Sequence, residues 1–356
     1  MIQYLILTDY SVKFALGDRH SLILRKDGTA WSTAIFFRGR VPASHNYGKF
    51  FQQVIKSGAK NAASGDSYSI VLKQDSDVWA TGRNYHGQLG DGTRVRKGTF
   101  VFVRTIFGAK GVTAGGSHSM VVTDEGQLWV AGWNKSGQLG EAAPSYATKF
   151  FQTMDSGAEA AAAGQSHSIV LKQDGSVWAT GRNSHGQLGD GTRVDRTNFA
   201  KVISSDAVDV TAGSDHSMVL KRDGTVWATG WNQYGQLGDG SVRDRSHYVE
   251  VISGGATAIA AGSQHSLVLK RDGSVWATGY NDNGQLGDGW TRNVYIFSEV
   301  ISHGAVAVAA GGFHSMVLKE DGSVWATGSN EYAQFGDGSK TSKEVFVRLA
   351  PFGNGA

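Results

Sequence analysis

The sequence predicts an all-β fold, a seven-bladed β-propeller of four-stranded antiparallel blades closed into a ring, and three observations carry that prediction. First, Trp31, Trp79, Trp129, Trp178, Trp227, Trp276 and Trp325 recur at spacings of 48, 50, 49, 49, 49 and 49 residues through a chain of 356. Second, each sits in the same string, whose fullest copy, Ala261–Gly289, reads A-G-x-x-H-S-x-V-L-K-x-D-G-S-V-W-A-T-G-x-N-x-x-G-Q-L-G-D-G. Third, the 49 glycines and the recurrent Gly-x-x-Gly-Asp-Gly spacing would break helical repeats of this length, while short strands turning every eight to twelve residues suit a blade.

The seventh copy shows each element in order. Val306–Ala310 is a run of small and β-branched residues ending at Gly311, as a strand near a crowded axis requires. His314–Lys319 is a second strand, and Asp321-Gly322 turns the chain because that pair tolerates the positive φ of a two-residue hairpin. Ser323–Thr327 returns as a third strand around Trp325, Asn330–Gly338 is a glycine-punctuated loop, and Glu344–Leu349 alternates as an outer strand. We name these strands A to D. The chain is thus one domain, 1–356, with repeats near 6–53, 54–103, 104–152, 153–201, 202–250, 251–299 and 300–349. The periodic tryptophans are expected as filling between blades, where burial of each is worth roughly 1.5 to 3 kcal/mol.

Composition removes several function classes. The net charge of +3 rests on 34 basic and 31 acidic residues, so no global field marks a nucleic-acid or membrane binder. Without cysteine there are no disulfides, thiolate metal sites or cysteine nucleophiles, and the compartment stays open. Met1–Leu7 lacks a signal-peptide pattern and no apolar run approaches a membrane span, which reads as a soluble chain.

The string A-G-x-x-H-S-x-V-L followed by D-G-x-V-W-x-x-G-x-N-x-x-G-Q-L-G resembles the repeat of the regulator of chromosome condensation family, and Asp174–Gly189, Asp223–Gly238 and Asp272–Gly287 carry it without a gap. The resemblance implies the seven-bladed propeller. For function it implies a range: propellers of this family include an exchange factor, a light sensor, enzyme inhibitors and interaction modules. Some copies depart from the pattern. The first replaces the G-x-N-x-x-G-Q-L-G loop with Ser32–Arg40, the second has Tyr68 at the histidine position, the third has Glu141 for the loop aspartate, and the seventh has Ala333 and Phe335 for Gly and Leu. Gln3–Leu7 and Val345–Leu349 both encode an outer strand, so the ring is expected to close by the C-terminal strand, the N-terminal strand, or both.

In such a meander the A–B and C–D loops share one face, and the B–C turns are nearly uniform, Lys-x-Asp-Gly. The candidate binding residues are therefore the variable, aromatic and basic positions of the first face: Arg83, Tyr85, His86, Arg94, Arg96, Lys97, Trp133, Lys135, Arg182, His185, Trp231, Tyr234, Tyr280 and Trp290, with Tyr332 beside them. The first two blades concentrate Arg19, Arg38, Arg40, Lys49, Arg83, Arg94, Arg96 and Lys97 against Asp18, Asp66 and Asp91, a sector suited to an acidic protein surface. Nucleic acid is disfavoured because the other blades add no continuous basic track.

Enzymatic chemistry finds little support. His20, His118, His167, His216, His265 and His314 begin the same strand in different blades, too far apart to share one metal, and are expected to hydrogen-bond within each blade. Asp91, Asp190, Asp239, Asp288 and Asp337 are equivalent loop acids, which points to turn chemistry. The family's ultraviolet-B photoreceptor senses with tryptophans just before the repeat histidine. Those slots here, Asp18-Arg19 to Gly312-Phe313, hold none. The family's exchange factor adds a protruding hairpin that spacings of 48 to 50 do not accommodate. The expected function is a non-enzymatic protein–protein interaction module, a scaffold or subunit of a larger assembly, with no cofactor or metal. The alternative is regulation of an enzyme, as an exchange factor for a small GTPase or a propeller-type inhibitor.

Overall fold

The computed structural model describes residues 12–33, 50–140 and 144–350. Among them lie seven four-stranded antiparallel sheets, each made of four consecutive strands, which form a ring. They cover 12–55, 59–105, 109–154, 158–203, 207–252, 256–301 and 305–348, hereafter blades 1 to 7. In blade 6, strand A is Ala256–Ala261, B is His265–Lys270, C is Val275–Gly279 and D is Val294–Ile301. No helix among the described residues is long and apolar enough to cross a membrane.

Position in the blade explains composition. Seven A strands converge on the axis, so alanine dominates them. Each B strand is covered on both faces by neighbouring blades and carries an apolar run without polar alternation, as in H-S-L-V-L-K of His265–Lys270. The seam between blades 5 and 6 joins Met218, Val226 and Leu237 to Ile259, Val268 and Phe297, and equivalent clusters fill the other seams.

The seven periodic tryptophans are only half-buried, so valine, leucine, isoleucine and alanine form most of the filling. In six of the seven the indole N–H donates to the side chain two residues earlier, at the B–C turn, whereas Trp79 Nε1 is buried without a partner. Trp276 Nε1 donates to Ser274 Oγ in the B–C turn (3.0 Å), and Lys270 Nζ lies 3.8 Å from a Trp276 ring centroid. The rest of the ring packs on the seam between blades 5 and 6. Cations also cap Trp31, Trp79, Trp129, Trp178, Trp227 and Trp325.

The repeat histidines bond between blades rather than within them. His118 Nε2 meets Ser168 Oγ at 2.8 Å, His167 meets Ser217 at 3.0 Å, His216 meets Ser266 at 2.9 Å and His265 meets Ser315 at 2.9 Å. Successive residues of a strand point to opposite faces, so the histidine of one blade faces the serine of the next. Each of these four serines donates its own proton to a backbone carbonyl, that of Gln138, Gln187, Gln236 or Gln285. The imidazole must therefore donate through Nε2, and burial, which lowers its pKa, keeps the ring neutral with Nδ1 bare. Nδ1 of these four and of His314 is buried without a hydrogen-bond partner. In blade 2, Tyr68 substitutes: its hydroxyl donates to the His118 carbonyl and accepts from Ser119 Oγ.

The same ring closes the fold. His314 Nε2 lies 2.9 Å from Ser21 Oγ, and the Gly312 amide donates to the Gly17 carbonyl (3.0 Å), joining blade 7 to blade 1. The C-terminal strand Lys343–Arg348 is the outer strand of its own blade; Gln3–Leu7 lies outside the described residues. Glycine ends each A strand for a steric reason. A Cβ at Gly213 would collide with the His216 imidazole and with the Gly262 carbonyl of the next blade, and the equivalent pair recurs around the axis.

Candidate interaction face

The C–D loops share an internal frame. In blade 5, Asn232 Nδ2 donates to Asp239 Oδ1 (3.0 Å) and to the Ser241 carbonyl (3.1 Å), while its Oδ1 accepts the Leu237 amide (3.0 Å). Gln236 Oε1 accepts the Tyr234 amide at 3.0 Å. Asn84, Asn183, Asn281 and Asn330 serve blades 2, 4, 6 and 7 likewise. The loop aspartates therefore act in turn chemistry, as their equivalence suggested. Strapped in this way, each G-x-N-x-x loop projects the residue before its asparagine and the second residue after it from a fixed backbone.

Those two positions meet across the seams. The His86 imidazole of blade 2 stacks on Trp133 of blade 3, with centroids 4.6 Å apart and planes at 19°, and on Tyr146 at 5.6 Å. Burial, then Arg83, Arg94 and Lys135, lower the His86 pKa, so it stacks as a neutral ring. On blades 4 to 7 a longer arc runs His185–Trp231 (5.7 Å), Trp231–Tyr234 (5.4 Å), Tyr234–Tyr280 (4.9 Å) and Tyr280–Phe313 (6.0 Å). Between the two runs the equivalent positions hold Ser136 and Arg182, which cannot stack in that way.

The basic residues divide by role. Arg83, Tyr85, Arg94, Arg96 and Lys135 are exposed. The Arg83 guanidinium lies 5.3 Å from the Tyr85 ring; Arg94 donates from Nε to the Tyr85 carbonyl (2.6 Å) and covers Tyr146 at 4.8 Å. Lys97 Nζ sits 3.0 Å from Asp91 Oδ2, and Arg196 and Arg245 pair with Asp190 and Asp239 in the same way. Arg19 pairs with Asp18 at 3.3 Å and lies over Tyr332. Arg38, Arg40 and Lys49 lie outside the described residues.

Acids sit between these groups. Arg182 Nη1 lies 3.9 Å from Asp215, which also accepts Gln187 Nε2 (2.9 Å); burial raises the Asp215 pKa against the pull of Arg182. Near the axis burial raises Asp18 as well, with the Asp66 charge adding to it. His185 Nδ1 lies 2.9 Å from Asp244 Oδ2. Trp290 stands apart on the outer rim of blade 6, 60% exposed. Among the described residues no group of three or more His, Asp or Glu is placed to hold a metal.

Sequence reasoning missed Tyr146, Phe313, Asp215 and Asp244. Phe313 and Asp215 stood in the slots before the repeat histidine, where only tryptophan was sought. Tyr146 opens an outer strand, and nothing in its local sequence marks it.

Comparison with known proteins agrees with this architecture. Human WBSCR16 matches at 21% identity over 85% of this chain and 84% of its own, with a TM-score of 0.76. Prp20p from Saccharomyces cerevisiae matches at 20% identity over 96% and 88%, with a TM-score of 0.78, and yeast RCC1 (Prp20) bound to Kap60 matches at 19%, over 96% and 85%, with 0.77. No curated protein sequence matches the chain. The sequence model of the RCC1-like domain matches residues 3–294 and 103–351. The chain therefore belongs to the RCC1-like domain family, as a seven-bladed β-propeller.

Proposed function

We propose that this protein is a non-enzymatic protein–protein interaction module, a scaffold or assembly subunit that binds through its A–B and C–D loop face. The observation that carries the reading is the cross-blade array of stacked aromatics and arginines on loops held rigid by their asparagines. Aromatic side chains on a fixed backbone lose little conformational entropy on binding, and aromatics and arginine are the residue types enriched at hot spots. A protein with an acidic surface fits the exposed Arg83, Arg94, Arg96 and Lys135. Support by analogy comes from structural neighbours, one of which was solved bound to Kap60 and one described for binding Gsp1p and histones.

The test replaces Arg83, Trp133 and Trp231 together with alanine and compares capture of partners from extract by mass spectrometry, with circular dichroism as the folding control. The reading expects partners lost from the variant and the fold retained. Equal recovery by both proteins would refute it.

A further inference from the structure

Two of the C–D loops are nearly one sequence. Arg83–Val95 of blade 2 and Arg182–Val194 of blade 4 differ only at Tyr85 against Ser184, so the contrast between their surroundings is set largely by the neighbouring blade. Blade 5 meets the blade 4 loop with two carboxylates. Asp215 stands 3.9 Å from Arg182 Nη1 and accepts Gln187 Nε2 (2.9 Å), while Asp244 takes His185 Nδ1 at 2.9 Å and stands 3.9 Å from Arg193 Nη1. Two arginines and two aspartates balance that seam.

Blade 3 meets the blade 2 loop with neither acid. The position of Asp215 is Ser117 there, and that of Asp244 is Tyr146, whose ring stacks on His86 and lies under Arg94. Volume is filled, but charge is not. Arg83 and Arg94 remain, Lys135 stands where blade 5 has Gln233, and all three are exposed with no ion pair among the described residues. The donors that aspartates serve in blade 4 are bare: Gln88 Nε2 and His86 Nδ1 are buried without a hydrogen-bond partner, as is Trp133 Nε1. A bare glutamine amide alone is not distinctive, since Gln236 and Gln285 share it, but Trp231 and Tyr280 hold the arginine position in those two loops. The acids of the blade 2 loops are engaged elsewhere. Asp66, which shares a cleft with Arg83 toward blade 1, accepts Gln165 Nε2 (3.0 Å), and Asp91 pairs with Lys97.

From this we infer that the seam between blades 2 and 3 seats an acidic segment of a protein partner, two of whose carboxylates supply the charge that Asp215 and Asp244 supply between blades 4 and 5. One carboxylate pairs with Arg83, and the other with Arg94 and Lys135. Exposed guanidinium groups without an internal acid favour a carboxylate partner through charge-assisted hydrogen bonds, and the charge pattern orients it. The inference rests on reading the A–B and C–D loops as the interaction face and narrows that face to one seam and one partner chemistry.

The probe is a rhodamine-labelled peptide Gly-Ser-Asp-Gly-Asp-Ser-Gly, followed by fluorescence anisotropy on the full chain at low ionic strength, where exposed charges are least screened. It should bind saturably and at least about tenfold more tightly than the peptide with asparagine at both aspartates. Ser117→Asp with Tyr146→Asp copies the acids of blade 5 into blade 3 and should weaken the acidic peptide about tenfold. Arg83→Gln with Arg94→Gln, which alters only exposed side chains, should do the same. Arg222→Asp changes the net charge as much as the aspartate pair does, but at an exposed B–C turn on the opposite face, and should leave binding unchanged. Equal binding of the two peptides, absence of saturable binding, unaltered binding by both seam variants, or an equal loss in Arg222→Asp would overturn the proposal. Any of these, with captured partners still lost from the alanine variant at Arg83, Trp133 and Trp231, sinks this inference and leaves the broader reading standing.

Discussion

Acid should unfold this protein through its histidine ring. Burial lowers the pKa of His20, His118 and His216 to about 4 and of His167, His265 and His314 to about 3, against an ordinary value of 6.5. Between those limits the unfolded chain binds protons that the native ring refuses, so stability is full above pH 6.5 and declines as pH falls toward 4. At pH 5 an unfolded histidine is almost fully protonated and a ring histidine almost not at all. The loss relative to pH 7 is about 2 kcal/mol per group, or on the order of 11 kcal/mol for six. That is comparable with the whole stability of an ordinary domain.

The assay is guanidinium unfolding followed by tryptophan fluorescence at several pH values from 7.5 to 4.5. The denaturation midpoint should fall steeply below pH 6.5, and His216→Asn should lower the pH slope by about one sixth, one site of six. A midpoint unchanged between pH 7 and pH 5 would refute the argument, because it would mean that the ring accepts protons while folded.

Two further outcomes follow from the same geometry. Tyr68→Phe removes the hydroxyl that serves the His118 carbonyl and Ser119 Oγ, and calorimetry should register a loss of about 1 to 3 kcal/mol. Gly213→Ala should be more damaging, because the added methyl meets both the His216 ring and the Gly262 backbone carbonyl. A loss of more than about 2 kcal/mol in chemical denaturation is expected, and a neutral effect would show that the axis can widen.

Most of the fold was legible because a repeat states its own period. The strand at His314–Lys319, the Asp321-Gly322 turn and the small residues before Gly311 follow from local preferences that every copy reinforces. The common face of the A–B and C–D loops follows from the meander alone. Within the candidate site, exposed arginines such as Arg83 and Arg94 could be named from variability in the loops. The partners of Lys97 could not, since a basic residue reads alike in the sequence whether it pairs with Asp91 or faces solvent.

What the sequence determined by itself, then, was the unit, its number and positions that break its pattern, such as Tyr68, Glu141, Ala333 and Phe335. Only the tertiary structure decided which residues of different units meet. His216 finds Ser266 rather than the serine beside it, and Tyr234 finds Tyr280, through the rotation that sets one blade against the next. Identical copies carry no local signal of that rotation.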